Sequence, residues 1–416
     1  MLPRLKFMGN YSRYMSRIGS HIASAVSRYS IQFLEDKNII SFAGGLPDPS
    51  TFPIEDLKRI AAEVLESFGL DALQYMPSRG VSTYIRELTS FLYRARGLNI
   101  SEEQVLVTTG SQQAIDIVSM MYIDEGDYVT VEEPTYIAAL NVFRARNPRF
   151  VGVPVDDKGM VVDILEDKLR KLRSEGKNVK LLYTVPTAQN PSGVTMSIDR
   201  RKYLLELANE FDFLVVEDDA YGLMVFEGEP PPPLYALDRS GRVIYVGSLS
   251  KVLTPGLRLG HIVAPKDVID SLEPLKQLAD LHTPSFNQYV AALALRNRII
   301  EKNMERVKSL YRAKRDAMIS AVEEHFIKTS WFTRPIGGMF VWVKLNTSID
   351  TEALLPKAFN RGVIYLPGKG FYHDESGLDT MRLNFTYPSI EQIHRGIEIL
   401  GNMIREAISV ATVAQH

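Results

Sequence analysis

From about residue 80 to 265 the chain repeats one pattern: a short apolar run, a turn, then a stretch whose apolar positions recur every three or four residues. The runs contain Val105, Tyr128, Phe150, Leu181, Phe213, Val243 and His261. An unbroken apolar run reads as a strand covered on both faces, and the amphipathic stretches between supply the cover. The pattern predicts an α/β unit with a mixed, mainly parallel sheet flanked by helices. Beyond it, residues 287–325 keep a helical period long enough to bridge into a second unit. Apolar runs at 339–343 and 363–366 then predict strands, and a helix is expected from Ile390, giving a smaller α/β domain.

Two segments stand apart from this alternation. Residues 1–38 form an arm whose first acid is Glu35, with Arg4, Arg13, Arg17 and Arg28 among serines, a composition shared with mitochondrial presequences. Residues 230–233 are four prolines, expected as a rigid surface spacer. A chain of 416 residues that is 45% hydrophobic exceeds what one core usually holds, so two domains are expected. The net charge of −2 gives no overall field toward nucleic acid or membrane. No apolar run approaches the roughly 20 residues of a membrane span. With no cysteine, disulfides and thiolate metal sites are excluded. The seven histidines show no His-Glu-x-x-His pairing, and no metal site is expected.

Candidate chemistry gathers where the strands end. Lys251 sits in Ser248-Leu249-Ser250-Lys251, with Arg258 seven residues on and Gly256 and Gly260 around it. A lysine can form a Schiff base with an aldehyde, while serine hydroxyls and an arginine fork hold a phosphate. The simplest ligand bearing both groups is pyridoxal 5'-phosphate (PLP). Alone, the same residues also fit a solvated turn. Residues 211–216 predict a buried strand ending in Glu217-Asp218-Asp219-Ala220-Tyr221. Ligands of open α/β sheets collect at such ends. Asp218 suits the pyridine nitrogen, whose protonation makes the ring withdraw electrons, and Tyr221 suits the ring oxygen.

Upstream, a strand at 105–109 runs into Gly110-Ser111-Gln112-Gln113 and a helical period, a helix start suited to an anion. The alternative is an ordinary turn with Ser111 as N-cap. Tyr136, after the run at 128–131, suits stacking on a cofactor ring or plain packing. Asn190 follows the run at 181–185 and is held between Pro186 and Pro191. It offers a rigid amide to the ring oxygen, or marks a turn.

In this order, and with Ser41-Phe42-Ala43-Gly44-Gly45-Leu46-Pro47, Leu73-Gln74-Tyr75, Gly337-Gly338-Met339-Phe340-Val341-Trp342 and Met381-Arg382-Leu383-Asn384-Phe385, the chain resembles a known family. It is similar to the fold-type I, class I/II PLP-dependent aminotransferases, and most to their 2-aminoadipate and kynurenine (aromatic) branch. The resemblance spans about residues 39–387. It implies an arm and substrate loop at 1–50 packing with the small domain, a large PLP-binding domain at 51–295 with a seven-stranded sheet, and a small domain at 296–416.

Carried onto this sequence, it makes Lys251 the Schiff-base lysine and proton carrier. Asp218 then pairs with the ring nitrogen, Tyr221 and Asn190 meet the ring hydroxyl, and Tyr136 stacks. Ser111, Gln112, Ser248, Ser250 and Arg258 hold the phosphate. Tyr75 is lent to the partner's phosphate site, so a homodimer with shared active sites is implied. Arg382 binds the substrate α-carboxylate, where a planar fork explains arginine over lysine. Gly45 and Asn190 also border the substrate, and Arg28 grips the distal carboxylate of an acidic donor. Ala220 departs from the family, which often has proline there.

The function implied is a cytoplasmic transaminase of amino-acid metabolism, with a place in lysine biosynthesis. It moves the amino group of 2-aminoadipate, glutamate, or an aromatic or large aliphatic amino acid to a 2-oxo acid such as 2-oxoglutarate, by a ping-pong route. Alternatives are an aromatic/kynurenine, branched-chain or alanine–glyoxylate aminotransferase, or a PLP lyase or decarboxylase. A non-catalytic PLP-binding regulator would need a DNA-binding domain before the Ala43-Gly44-Gly45 loop, and about 40 residues are too few for one.

Overall fold

The computed structural model describes residues 39–413 together with Ser16 and Gly19; the expected role of Arg28 therefore falls outside the described residues. The described chain enters through β1 (Ile40–Ser41) and continues into helices Ile54–Ala72 and Ser82–Arg96. The central sheet follows: β2 (Val105–Thr108), β3 (Tyr128–Glu133), β4 (Arg149–Asp156), β5 (Gly159–Met160), β6 (Val179–Thr184), β7 (Leu214–Asp218), β8 (Val243–Ser248) and β9 (Gly260–Val263). Their spatial order is β2-β9-β8-β7-β6-β3-β4-β5. Strands β8, β7, β6, β3 and β4 run parallel, whereas β9 is antiparallel to both β8 and β2.

The seven apolar runs all become strands, because helices cover both faces and leave β2 and most of β7 and β8 buried. The expected seven-stranded sheet has an eighth member. It is β5, two residues antiparallel to β4 across a tight turn, too short to leave a periodic signal. Strand β7 starts later than the apolar run suggested. Phe211 closes helix Ile198–Phe211, and Asp212 turns the chain through a left-handed conformation at φ 58°. Since β2 shares the direction of β8, the carboxyl ends of β2, β3, β6, β7 and β8 open on one edge.

The helical stretch expected at 287–325 is two helices, Ser285–Arg296 and Ile299–His325, with Arg298 at φ 54° between them. The first is buried against helices Ile54–Ala72 and Ser82–Arg96, and the second packs on helix Ile390–Val413. The chain must therefore change direction, although the apolar period runs on.

The remaining strands are β10 (Trp331–Phe332), β11 (Phe340–Lys344), β12 (Val363–Ile364), β13 (Leu366–Pro367) and β14 (Thr380–Asn384). A second sheet has the order β10-β11-β14-β13. The single strand expected at 363–366 is split: β12 pairs with β1, and β13 with β14. Tyr365 sits at the bend, buried, with its hydroxyl donating to Thr351 O at 2.7 Å. The four prolines are also more than a spacer. Pro232 O accepts from the buried Arg201, and the Glu217 carboxylate accepts from Leu234 N and Tyr235 N just beyond. Among the described residues no helix is long and apolar enough to cross a membrane.

Candidate active site

A cavity of about 130 Å3 opens at the carboxyl edge of the central sheet. Ser111, Gln112, Tyr136, Asn190 and Asp218 line one part of it; Tyr221, Ser248, Ser250, Lys251 and Arg258 line the rest. These residues come from five segments far apart in sequence, and the sheet topology brings them together.

Strand β2 delivers Gly110, which precedes helix Ser111–Tyr122 at φ 82°. No side chain caps this helix, so Ser111 is its first residue rather than its N-cap. The N–H groups at the helix start therefore remain for an anion. A Cβ on Gly110 would stand 2.6 Å from Arg258 Nη2, so glycine here lets the guanidinium close on the helix start.

Strand β7 delivers Asp218. Its Oδ2 accepts from Tyr183 Oη at 2.8 Å, while the buried Oδ1 has no hydrogen-bond partner among the described residues. Burial pushes its pKa up to about 7; Tyr183 holds the shift back, and the negative charges of Asp219 and Glu132 add to it. Strand β6 runs into the turn that carries Asn190, whose Oδ1 accepts from Arg382 Nη1 at 2.8 Å. Asn190 Nδ2 reaches Tyr221 Oη at 3.5 Å. Glu132 holds that turn from below, accepting from Thr184 Oγ1 at 2.8 Å and from Val185 N and Gln189 Nε2 at 3.0 Å.

Strand β8 ends at Ser248, whose Oγ accepts from Ser250 N at 3.1 Å. Lys251 follows, and its Nζ donates to Gly45 O at 2.7 Å. Burial, with Arg382 and Arg258 nearby, brings the Lys251 pKa down to about 8. Tyr136 Oη reaches Gln112 Oε1 at 3.4 Å, and burial pushes its pKa up to about 12. Arg382 arrives from β14 with Phe340 at 4.1 Å and Phe371 at 5.2 Å from the guanidinium. Its Nη2 donates to Ala43 O at 2.6 Å, and its buried Nε has no partner among the described residues. No carboxylate among the described residues pairs with it, and burial brings its pKa down to about 10.

Gly45 and Arg382 join the cavity through their bonds to Lys251 and Asn190 rather than by lining it, and Tyr75 stands apart. It lies outside the cavity, 75% exposed, with its ring edge-on to His282 at 5.8 Å. Sequence reasoning missed Tyr183 and Glu132. Tyr183 stood inside an apolar run and Glu132 in what read as a loop; only a polar group in a buried strand could have flagged either.

The family model for "Aminotransferase class I and II" matches residues 38–400. The chain belongs to that family. This aminotransferase is 43% identical over 397 residues to an aromatic-amino-acid aminotransferase of Thermococcus litoralis, covering 95% of each chain. It is 37% identical to a 2-aminoadipate transaminase of Thermus thermophilus, covering 96% of this chain and 99% of the other. Among solved structures, a kynurenine aminotransferase of Pyrococcus horikoshii in complex with PMP is 43% identical. It superposes with a TM-score of 0.92 over 96% of this chain and 99% of that one. The enzyme thus lies in the aromatic, kynurenine and 2-aminoadipate branch of PLP-dependent transaminases.

The aminotransferase cavity fits that cofactor by its donor set. Three cationic groups, Lys251, Arg258 and Arg382, stand around one buried acid, Asp218, whose Oδ1 is left without a donor. That imbalance suits an anionic ligand carrying a protonated ring nitrogen.

Proposed function

We propose that this enzyme moves the amino group of an L-amino acid to 2-oxoglutarate by a ping-pong route, accepting 2-aminoadipate and glutamate together with aromatic and large aliphatic donors. When bound, PLP supplies an aldehyde for amine exchange and a protonated ring that takes up electrons. The protein's own residues bind, orient and move protons around it. Ser111, Gln112, Ser248, Ser250 and Arg258 hold the phosphate, with the uncapped helix start behind them. Tyr136 would cover the ring, and Tyr221 and Asn190 would meet its hydroxyl. Asp218, with Oδ1 free of a donor, would hold the protonated ring nitrogen.

Lys251 carries the proton: with its pKa near 8, Nζ can accept one from the substrate Cα and give it back near neutral pH. Arg382 takes the substrate α-carboxylate, and the Gly45 carbonyl lies against Lys251 Nζ where the substrate enters. The observation that carries this reading is a pair of buried groups in one place, Asp218 Oδ1 and Arg382 Nε, that have no partner among the described residues and stand beside Lys251, the only described lysine that lines the cavity.

We also infer a homodimer, in which Tyr75 serves the partner's phosphate. Leu70, Leu73, Tyr75 and Leu278 are exposed apolar side chains at the ends of helices Ile54–Ala72 and Lys266–Asp280, as an interface requires. The domain division at residues 50 and 295 and a cytoplasmic place in lysine biosynthesis belong to the same proposal.

Substrate breadth rests on the relatives, whose names span aromatic amino acids, kynurenine and 2-aminoadipate. The test is a panel of amino donors against 2-oxoglutarate, with borohydride reduction and peptide mapping of the PLP adduct. The label is expected on Lys251, and each good donor alone should yield 2-oxo acid in proportion to enzyme. Arg28→Ala should raise KM for 2-aminoadipate and spare phenylalanine. A label on another lysine ends the assignment, and activity confined to alanine and glyoxylate replaces the substrate reading.

A further inference from the structure

Next to Asp218 lies a second group of buried charges that the reaction as described does not use. Asp219 is the following residue, and strand pleating turns it to the opposite face. Its Oδ2 accepts from Arg96 Nε at 2.7 Å and from Tyr245 Oη at 3.0 Å. The two charged side chains are 3% and 1% exposed, so water screens neither. Arg96 ends helix Ser82–Arg96 and reaches Asp219 across Gly222, where a Cβ would stand 2.4 Å from Asp219 Oδ1 and 2.6 Å from Arg96 Cζ.

The surrounding titratable groups are few. His261 stacks on Tyr245 at 6.0 Å, and burial pushes its pKa down to about 4, so it is neutral. Glu217 and Arg201 form a second buried pair at 3.9 Å, and it feels the first: burial and the charge of Asp219 raise the Glu217 pKa, while Arg201 holds it back. Facing Asp218 itself are Tyr183, Glu132, Tyr136 and Tyr221, with Lys251, Arg258 and Arg382 around the cavity.

A buried ion pair is a weak source of stability, because desolvation of both ions offsets their attraction. What distinguishes this one is its neighbour. The charge of Asp219 acts on Asp218, and Arg96, hydrogen-bonded to Asp219, sets an opposite charge beside it. We propose that Arg96 and Asp219 are a positioning pair for the reaction, which sets the charge behind Asp218 so that the ring-nitrogen proton stays shared between Asp218 and the cofactor. The proposal rests on the reading that PLP binds with its ring nitrogen toward Asp218. The negative charge of Asp219 favours the proton on Asp218, and the bond to Arg96 fixes where that charge stands.

The experiment is a pH titration of the absorbance of Lys251-bound PLP, with PLP affinity measured on the cofactor-free protein. Asp219→Asn leaves Arg96 as an uncompensated cation and should lower the titration midpoint by about one pH unit, as a unit charge within about 10 Å does at an effective dielectric near 20. PLP affinity should weaken in parallel. The double variant Arg96→Met with Asp219→Asn removes both charges and should bring the midpoint back toward wild type. Tyr245→Phe withdraws a donor from Asp219 and should move the midpoint the other way, upward.

A purely structural tie would lower melting temperature and leave the midpoint unchanged. The proposal is overturned if Asp219→Asn titrates like wild type, or if the double variant stays as displaced as the single one. Should Asp219→Asn not fold, Tyr245→Phe decides: an unmoved or lowered midpoint overturns the proposal. Absence of any Lys251-bound absorbance in the wild-type enzyme would instead refute the PLP reading beneath it.

Discussion

Arg382 and Arg96 are buried almost equally, at 4% and 7% exposure, but their partners differ. Arg96 meets the Asp219 carboxylate, and although burial alone would lower its pKa, that neighbour raises it. Arg382 meets two carbonyl oxygens, one from Asn190 and one from Ala43, and two aromatic faces. It has no carboxylate among the described residues, and burial lowers its pKa to about 10. A buried cation without an anion costs free energy that a folded chain does not retain for stability alone. The difference teaches where a carboxylate has room to come from outside, and it supports the proposal that at Arg382 the substrate supplies it.

The comparison breaks most sharply on parallel substitutions. Arg382→Met should lower kcat/KM for every amino acid by about a thousandfold, the loss expected when one partner of a buried charge pair goes. Its stability should change by less than about 1 kcal/mol, because an unpaired charge leaves with the hydrogen bonds. Arg96→Met should do the reverse in stability and cost about 3–5 kcal/mol, since it strands Asp219. Urea unfolding of the PLP-free proteins measures both. Equal destabilisation by the two changes would remove the distinction.

The same contrast shows what the sequence made legible. Lys251, Asp218, Asn190 and Arg258 could be found because each follows an apolar strand run, and strand ends meet at one edge whatever the details of packing. Arg96 and Asp219 stand 123 residues apart, and no local pattern links them. Tyr183 and Glu132 depend on register: Tyr183 lies opposite Val131 on β3 and Val216 on β7, a relation fixed only when the sheet forms. Similarly, β5 and the split at Tyr365 are tertiary choices; both ends of the split run are apolar, and only pairing with β1 or β14 separates them.

Asp218 and Lys251 sharpen the comparison further, being an acid and a base held off their ordinary pKa values in opposite directions. Asp218→Asn should lower turnover by about a hundredfold or more, the range for loss of one electrostatic stabiliser. Without PLP the sign for stability is opposite. The folded pKa near 7 lies above the reference 3.8, so the native state binds the extra proton between those values. Stability of the PLP-free enzyme should therefore fall as pH rises through that window, and Asp218→Asn should abolish this part of the fall. Melting temperatures of the two proteins from pH 5 to pH 8, on the order of three units, would show the gap shift in favour of the variant. For Lys251, with a pKa of about 8, PLP capture needs the neutral amine. Its rate should rise about tenfold per pH unit below that value and level off above it. A flat profile would place the titration elsewhere.

The smallest effect concerns a residue that stands apart from the cavity. Among the described residues Tyr75 is exposed, meets Gln74 and His282 and does not line the cavity. If it donates to the partner's phosphate, Tyr75→Phe should weaken PLP binding by about tenfold, the value of one hydrogen bond to a charged group. Arg382 and Tyr75 then differ as a group that completes its own site and one that completes another's. Mixed dimers separate these. A Tyr75→Phe subunit paired with a Lys251→Ala subunit has one working lysine, and that site receives its tyrosine from the Lys251→Ala partner. Such hybrids should bind PLP at the working site with wild-type affinity. Weak binding there would mean that Tyr75 acts within its own chain, and sedimentation of a fully active monomer would dismiss the shared site altogether.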